Sequence, residues 1–489
     1  MKRKSVIRIS LLCFIGLLCM CTTCPAQTDA IPRMNPVCSL EGSWEDIGKQ
    51  QAYYYPELIF QVAFLFDVLL GITGDDTLAY YQEVENQVPE SVKEQIQGMA
   101  LGLFEYWSIP YDTAWKMALI LPFGQDAYQK QQAEGETGAC TAVALHSADG
   151  TFLIHNTDDM PDALNLYGIN HFIPDNGDNA IISFGVPQVF AGVALAVNEQ
   201  GLAITFNAGR PNNSATFGLP IMLMMRDVMA KCDTLDEAVA CFTDHLDSGG
   251  TYGYGSGNVL MVDFKDGAMA RFQMCSREIK VTYGQELKEG VTYVACTNYF
   301  DDDFSPLSEE DKTTESNISA IQRYARVMEL IAQFETYDAD ACWAILTDTK
   351  GGEPNNNTVC RRGDTWTTVY SNVFTEDASY YTLGVPTEYL ALYGEPMVID
   401  NHNVCKESIS GTVTAMGSPL AQARVILEGV TAAGMEMQTN TAEDGTFVFN
   451  NLVSGTYRIW VFKLFHFPGL AVVDVQEGQQ QTADVQLIF

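Results

Sequence analysis

A polar run from Gln129 to Ala139 stops abruptly at Cys140, and Cys140 opens the strand-like apolar segment Thr141-Ala142-Val143-Ala144-Leu145. That junction suits a chain that cuts itself. A cysteine thiol can attack the carbonyl of the preceding residue and move the chain from nitrogen to sulfur. Hydrolysis of the thioester then frees Cys140 as a new N-terminus. Its thiol becomes a nucleophile, and its α-amine, with an ordinary pKa of about 7.7–8.0, can act as a base near neutrality. Taken alone, Cys140 reads first as half of a disulfide or as a buried small hydrophobe. The rest of the chain changes that balance.

The N-terminus carries the pattern of a secretory signal. Lys2, Arg3, Lys4 and Arg8 form a basic start, Val6 to Met20 an apolar run, and Cys24-Pro25-Ala26 a small-residue site for cleavage before Gln27. The apolar run is too short for a membrane span. A lipid-modified cysteine at Cys19, Cys21 or Cys24 ranks second, because Leu18, Met20 and Thr23 are poor neighbours for that processing. The expected location is therefore exported: periplasm, cell surface or medium. Loss of residues 1–26 removes four positive charges and no acids, so the net charge of −35 becomes −39. Such a surface repels phosphate backbones and argues against a nucleic-acid partner. Nine of the thirteen cysteines remain after that cut. With Cys140 free, eight are left that an oxidising compartment can pair, in a connectivity the sequence does not give. No spacing matches a zinc site, and neither metal nor cofactor is expected.

At 489 residues the chain is too long for one ordinary core. Residues 27–139 read as a mainly helical segment. Ser43 is a candidate cap before Trp44, Val92 to Trp107 has helical periodicity closed by Pro110, and Asp112 to Leu121 is a third helix. After Cys140 the pattern becomes short strands. Thr141–His146 and Thr151–His155 flank the turn Ser147-Ala148-Asp149-Gly150. Ala180–Gly185, Ala191–Asn198 and Leu202–Asn207 follow, then helices over Leu219–Cys232 and Leu235–His245. Strands resume at Asn258–Asp263, Met269–Gln273, Ile279–Val281 and Thr292–Cys296, and Ile318–Glu335 is an amphipathic helix. The region 140–400 thus reads as two sheets with helical layers outside, folding together with 39–139. Composition breaks near Asp400. From about 404 to 489, Ile409–Val413, Ala423–Glu428, Thr446–Asn450 and Tyr457–Phe462 alternate as in a small all-β sandwich.

Four polar features follow Cys140. Asn156-Thr157-Asp158-Asp159 closes its hairpin, so Asp158 can lie beside the new N-terminus and hold its amine; alone it reads as a loop carboxylate or calcium ligand. Asn207 ends an apolar strand, where a fixed amide can stabilise an oxyanion, or simply turn the chain. Arg323 and Arg326 share one helix face, fit for a carboxylate or for surface ion pairs. Thr297-Asn298-Tyr299 is the weakest of the four.

These residues resemble, in order, the isopenicillin N acyltransferase-like family of autoproteolytic N-terminal-nucleophile enzymes. The matching pieces are Cys140-Thr141, Asn156-x-Asp158, Gly201 to Ala208, Thr297-Asn298 and Arg323-x-x-Arg326. Glu41 to Gly48 and Asn357-Thr358-Val359-Cys360-Arg361 extend the likeness over about 39–396. The resemblance implies an α+β fold, an Ntn-hydrolase αββα sandwich, with self-cleavage before Cys140 and attack on amide bonds of small molecules or short peptides. It implies Cys140 as nucleophile, Asp158 as amine-orienting acid, Asn207 as oxyanion donor and Arg323 as site arginine. The small and large fragments are expected to stay associated. Where the family's best-known members have glycine before the cysteine, this chain has Ala139, which enters a strained turn less freely. The C-terminal pattern, Gly411-Thr412-Val413 and Asp444-Gly445-Thr446-Phe447, resembles carboxypeptidase regulatory-like, transthyretin-type sandwiches.

Three functions follow. An amidase-type hydrolase comes first, because export removes the chain from cytosolic acyl-coenzyme A. An N-acyltransferase using the same thioester is second. A non-catalytic surface protein is third, with Cys140 structural and Tyr457, Trp460 and Phe462 offered to a glycan; their alternation with Arg458 and Val461 favours burial of one face instead.

Overall fold

The computed structural model describes residues 35–131, 139–159, 167–209, 217–253, 257–305, 311–363, 366–401, 407–429, 436–452, 455–463, 466–475 and 480–487. The signal segment, the 132–138 part of the polar run and Cys405 lie outside the described residues.

The hairpin that begins at Ala139 organises the rest. Strands β2 (Ala139–Ser147) and β3 (Gly150–Asp159) pair from Ala139↔Asp158 to Ser147↔Gly150, around a turn closed by Gly150 at φ +137°. Glycine takes that angle without the Cβ clash any other residue meets. Successive side chains of a strand point to opposite faces. Val143, Leu145, Phe152 and Ile154 accordingly join one buried cluster, while Ala142, Ala144 and Leu153 join another.

The hairpin lies inside a sheet ordered β11-β12-β2-β3-β13-β14-β15 among the described residues. Its other strands are β11 (Gln285–Lys288), β12 (Val291–Cys296), β13 (Thr367–Phe374), β14 (Ala378–Leu383) and β15 (Met397–Asp400). One face packs on α8 (Glu315–Gln333) and α9 (Ala339–Leu346) through Val327, Leu330, Ile331, Cys342 and Ile345. The other packs through Ala142, Ala144, Leu153 and Phe374 on a second sheet, ordered β1-β4-β5-β6-β7-β8-β9-β10.

That second sheet comprises β1 (Asn35–Gly42), β4 (Tyr167–Pro174), β5 (Ile181–Pro187), β6 (Leu195–Asn198), β7 (Leu202–Ala208), β8 (Gly257–Asp263), β9 (Met269–Met274) and β10 (Ile279–Tyr283). Its outer face is covered by α1 (Trp44–Tyr54), α2 (Pro56–Phe64), α3 (Gly74–Val84), α4 (Glu90–Trp107), α5 (Tyr111–Gln131), α6 (Ile221–Lys231) and α7 (Leu235–Asp247). The layers run α, β, β, α. Ser43 caps α1 by accepting from the Asp46 N–H. Gly48 and Gly98 let α1 and α4 touch; a Cβ on Gly98 would stand 1.9 Å from the Glu45 carbonyl oxygen.

The 27–139 segment is more than a helical cover. Its strand β1 runs parallel to β4, with Cys38 opposite Asn170 and Leu40 opposite Phe172. Helix α5 reaches Gln131, ten residues beyond the expected end at Leu121, and takes in part of the polar run.

The C-terminal strands form two facing sheets over their own core of Ile409, Val413, Val425, Leu427, Phe449, Ile459 and Val461. In one of them the strands Arg424–Gly429 and Gly469–Val475 flank Gly455–Phe462. Tyr457 is buried in that core, whereas Trp460 is half-buried with its indole N–H on Glu428, and Phe462 is exposed. The strand alternation separates the three aromatics: Tyr457 goes inward with Val461, and the other two go outward with Arg458.

Candidate active site

Cys140 is buried at the second position of β2, and its backbone is held at both ends. Its N–H donates to Asn298 Oδ1 at 2.7 Å, and its carbonyl accepts from Arg323 Nη1 at 2.5 Å. Burial pushes the thiol pKa up to about 12. The Asp158 carboxylate adds to the rise, and the Asp158 N–H and Arg323 oppose it.

Arg323 reaches this point from α8. It lies 1 % exposed and spends its donors on Thr141 Oγ1 (2.7 Å), Cys140 O, Asn298 Oδ1 (2.9 Å) and Ser319 Oγ (3.3 Å). Burial draws its pKa down to about 10, with Asp158 pulling the other way. Arg326, three residues on, points elsewhere: it pairs with Asp348 at 2.8 Å and with Glu329 at 3.1 Å. The two arginines separate, one into the site and one into surface ion pairs.

Asn298 is the group that the sequence reading ranked last, and it is the junction of the site. Its Oδ1 accepts from both Cys140 N and Arg323 Nη2, while its Nδ2 donates to Ala208 O at 2.6 Å. A signal for it exists in the strand register. β12 pairs antiparallel with β2, with Cys296 opposite Ala142, so the residue two further on comes level with Cys140.

Asp158 sits opposite Ala139, on the face of the sheet turned to α8 and α9. Its Oδ1 accepts from Thr368 Oγ1 at 2.6 Å, and its Oδ2 pairs with Arg361 Nη1 at 3.5 Å. Burial raises its pKa; Arg361 and Arg323 oppose that rise without cancelling it. The arginine partner comes from the Asn357–Arg361 segment, and sequence alone did not connect it to Asp158. Asn156, on the same face, donates to Leu346 O and Val359 O and accepts from Ser371.

Between the two sheets, Thr157 stands directly opposite Cys140. Its hydroxyl lies 3.1 Å from His155 Nδ1, and His155 Nε2 lies 3.3 Å from Phe206 O. His155 is buried, and desolvation lowers its pKa to about 4. Asn207, at the end of β7, faces the same space. Its Nδ2 makes a long 3.5 Å bond to Cys296 O, and its buried Oδ1 has no hydrogen-bond partner among the described residues. Asp159 accepts from the Tyr167 hydroxyl. Among the described residues no group of three His, Cys, Asp or Glu is arranged to hold a metal ion.

Chemically, the site offers a thiol, a backbone nitrogen gripped by an amide oxygen, a buried arginine and a paired carboxylate around one peptide bond. Comparison with known proteins gives this arrangement a context. Residues 145–386 match the model of the acyl-coenzyme A:6-aminopenicillanic acid acyl-transferase family, and residues 408–488 match the carboxypeptidase regulatory-like domain. Among solved structures, similar ones include a mutant conjugated bile acid hydrolase from Clostridium perfringens (13% identity over 53% of this chain and 92% of that one, TM-score 0.35). Others are the Caenorhabditis elegans ortholog of N-acylethanolamine-hydrolyzing acid amidase (15%, 53% and 100%, TM-score 0.34) and penicillin V acylase from Agrobacterium tumefaciens (12%, 53% and 86%, TM-score 0.31). No curated protein matches the chain. The chain is thus similar over 145–386 to the acyl-coenzyme A:6-aminopenicillanic acid acyl-transferase family, and over 408–488 to the carboxypeptidase regulatory-like domain.

Proposed function

We propose that the chain is an exported, self-processing N-terminal-cysteine hydrolase that cleaves an amide bond of a small molecule or short peptide through an acyl-cysteine intermediate. The observation that carries this reading is the grip on Cys140: Asn298 holds its nitrogen, Arg323 its carbonyl, and Asp158 pairs across the ladder from Ala139. Cleavage of Ala139–Cys140 would turn that nitrogen into an amine already seated on Asn298 Oδ1. Cys140 is then the nucleophile and its amine the base, with Asp158 and Arg323 fixing the amine's surroundings. Asn207, whose side-chain N–H makes one long bond among the described residues, can swing that donor toward the charge that develops on the attacked oxygen.

The test is the intact mass of the purified protein. Two fragments, Gln27–Ala139 and Cys140–Phe489, are expected, and Cys140→Ala should give one chain and no turnover. Cleavage that survives Cys140→Ala, or starts at another residue, rejects the reading. A first fragment beginning before Gln27 rejects the export site alone.

The matched family's description favours a second reading, in which an amine resolves the same thioester and the protein is an N-acyltransferase. Supplying hydroxylamine with an amide substrate separates the two: a transferase diverts most of the acyl group to the hydroxamate, a hydrolase mostly to the acid.

A further inference from the structure

An unprocessed chain lacks the α-amine that serves the mature enzyme as a base, so the first attack by Cys140 needs another proton acceptor. The face of the hairpin that bears the thiol narrows the choice. Cys140, Thr157 and His155 all point between the sheets, because Cys140 pairs with Thr157 and Ala142 with His155. Asp158 points the other way, with its two oxygens taken by Thr368 and Arg361. Asp159, further along the thiol's face, is occupied by the Tyr167 hydroxyl.

The hydrogen bonds of His155 fix its proton. Phe206 O can only accept, so Nε2 carries hydrogen. Burial keeps the ring neutral, which leaves Nδ1 bare and makes Thr157 the donor in their 3.1 Å bond. Thr157 therefore presents only lone pairs to anything else it meets. Directly opposed side chains in an antiparallel pair have Cβ atoms about 4.5–5.5 Å apart, so a rotation about χ1 can bring the thiol to the Thr157 hydroxyl.

We propose that Thr157, backed by His155, takes the thiol proton of Cys140 during self-cleavage; the proposal rests on the self-processing reading above. The proton passes from Sγ to Thr157 Oγ1 as the Thr157 hydroxyl proton passes to His155 Nδ1, in step with the approach of Sγ to the Ala139 carbonyl carbon, so that charge leaves the sulfur as the ring becomes a cation. Phe206 O and Asn207 Oδ1, which has no hydrogen-bond partner among the described residues, lie beside the ring and face that transient cation. Sγ then bonds to the Ala139 carbonyl carbon, the C–N bond of Ala139–Cys140 breaks, and the proton returns through Thr157 to the departing nitrogen. Water hydrolyses the thioester to the Ala139 carboxylate and the free thiol.

Because the amine exists only after the cut, the pair matters more to processing than to the mature nucleophile. Thr157→Val and His155→Gln should each slow processing of the full chain at least a hundredfold, and Thr157→Ser should return it to within tenfold of the natural rate. Alkylation of Cys140 by iodoacetamide, measured peptide by peptide on the cleaved fraction, should fall less than tenfold. Equal losses in both measurements make Thr157 a structural residue and overturn the proposal. So does processing of either slow variant at the natural rate. If Thr157→Val does not fold, His155→Gln carries the test, because glutamine can accept from Thr157 but cannot become a cation. Cleavage in Cys140→Ala would defeat the parent reading instead.

Discussion

On the face of the β2–β3 hairpin that meets α8 and α9, polar side chains are tied to one another: Asp158 to Arg361 and Thr368, Asn156 to Ser371, Thr141 to Arg323. The face between the sheets holds Cys140, Thr157, His155 and Asn207, an uncharged set joined by few and longer bonds, with the Asp159 carboxylate further along it on the Tyr167 hydroxyl. The difference is one of timing. A charge buried permanently must be paired permanently, or its desolvation goes uncompensated. Groups that become charged only during a reaction can wait neutral, and their surroundings need only tolerate the charge briefly.

This contrast can be broken by removing one partner on the charged face. Arg361→Met leaves Asp158 buried with its ion pair lost, and should cost about 3–5 kcal/mol of folding stability. Urea unfolding in a Cys140→Ala background, which keeps the chain whole, reads the loss. A cost below about 1 kcal/mol would mean that the carboxylate is held by Thr368 alone.

The uncharged set should respond in rate rather than in stability. Asn207→Ala in processed protein should lower turnover about 10²–10³-fold with little change in substrate binding, the usual effect of losing one oxyanion donor. Near-normal turnover on a substrate that Cys140→Ala cannot touch would remove Asn207 from that role.

Acid sharpens the comparison further. His155 has a folded pKa of about 4 against an ordinary value of 6.5, so the folded state resists the proton that the unfolded state accepts. Its stabilising contribution is present above pH 6.5 and lost as pH falls toward 4, by about 2–3 kcal/mol between pH 7 and pH 4.5. His171, lowered likewise by burial, adds its own loss. The difference in unfolding free energy between the intact Cys140→Ala chain and the same chain with His155→Gln isolates the first histidine; parallel curves would refute its share.

The smallest effect belongs to Arg326. Its ion pairs lie in the outer layer with the side chain 21% exposed, and solvent screens such pairs. Arg326→Met should cost less than about 1 kcal/mol and leave processing intact, although it lies only one turn from Arg323, which bonds the Cys140 carbonyl.

Much of this was legible in sequence where a local rule acted alone. The β2–β3 hairpin follows from alternation around Asp149-Gly150, and the start of α1 from a Ser43 cap. Residues that depend on distant partners were harder to read. β1 contains Pro36 and pairs in parallel with a strand over a hundred residues away, so nothing near it marks it as a strand. β4, Tyr167-Gly-Ile-Asn-His-Phe, lacks a clean apolar alternation because parts of both its faces are buried. Arg323 and Arg326 have the same spacing argument in their favour, and only the position of β2 beneath α8 tells them apart. Asn298 gained its importance from register, which a single strand does not reveal.

The parallel pairing of β1 with β4 has a consequence for how the molecule could come apart. A cut at Ala139–Cys140 would leave β1 hydrogen-bonded inside the second sheet, and α1 to α5 in the core over it. The nick would change the order of the folding reaction rather than the shape. Before it, refolding is unimolecular; after it, two chains must find each other, and the unfolding midpoint falls with dilution. Self-cleavage would then act as a ratchet: a molecule that folds once and cuts itself has little chance, at low concentration, of folding a second time.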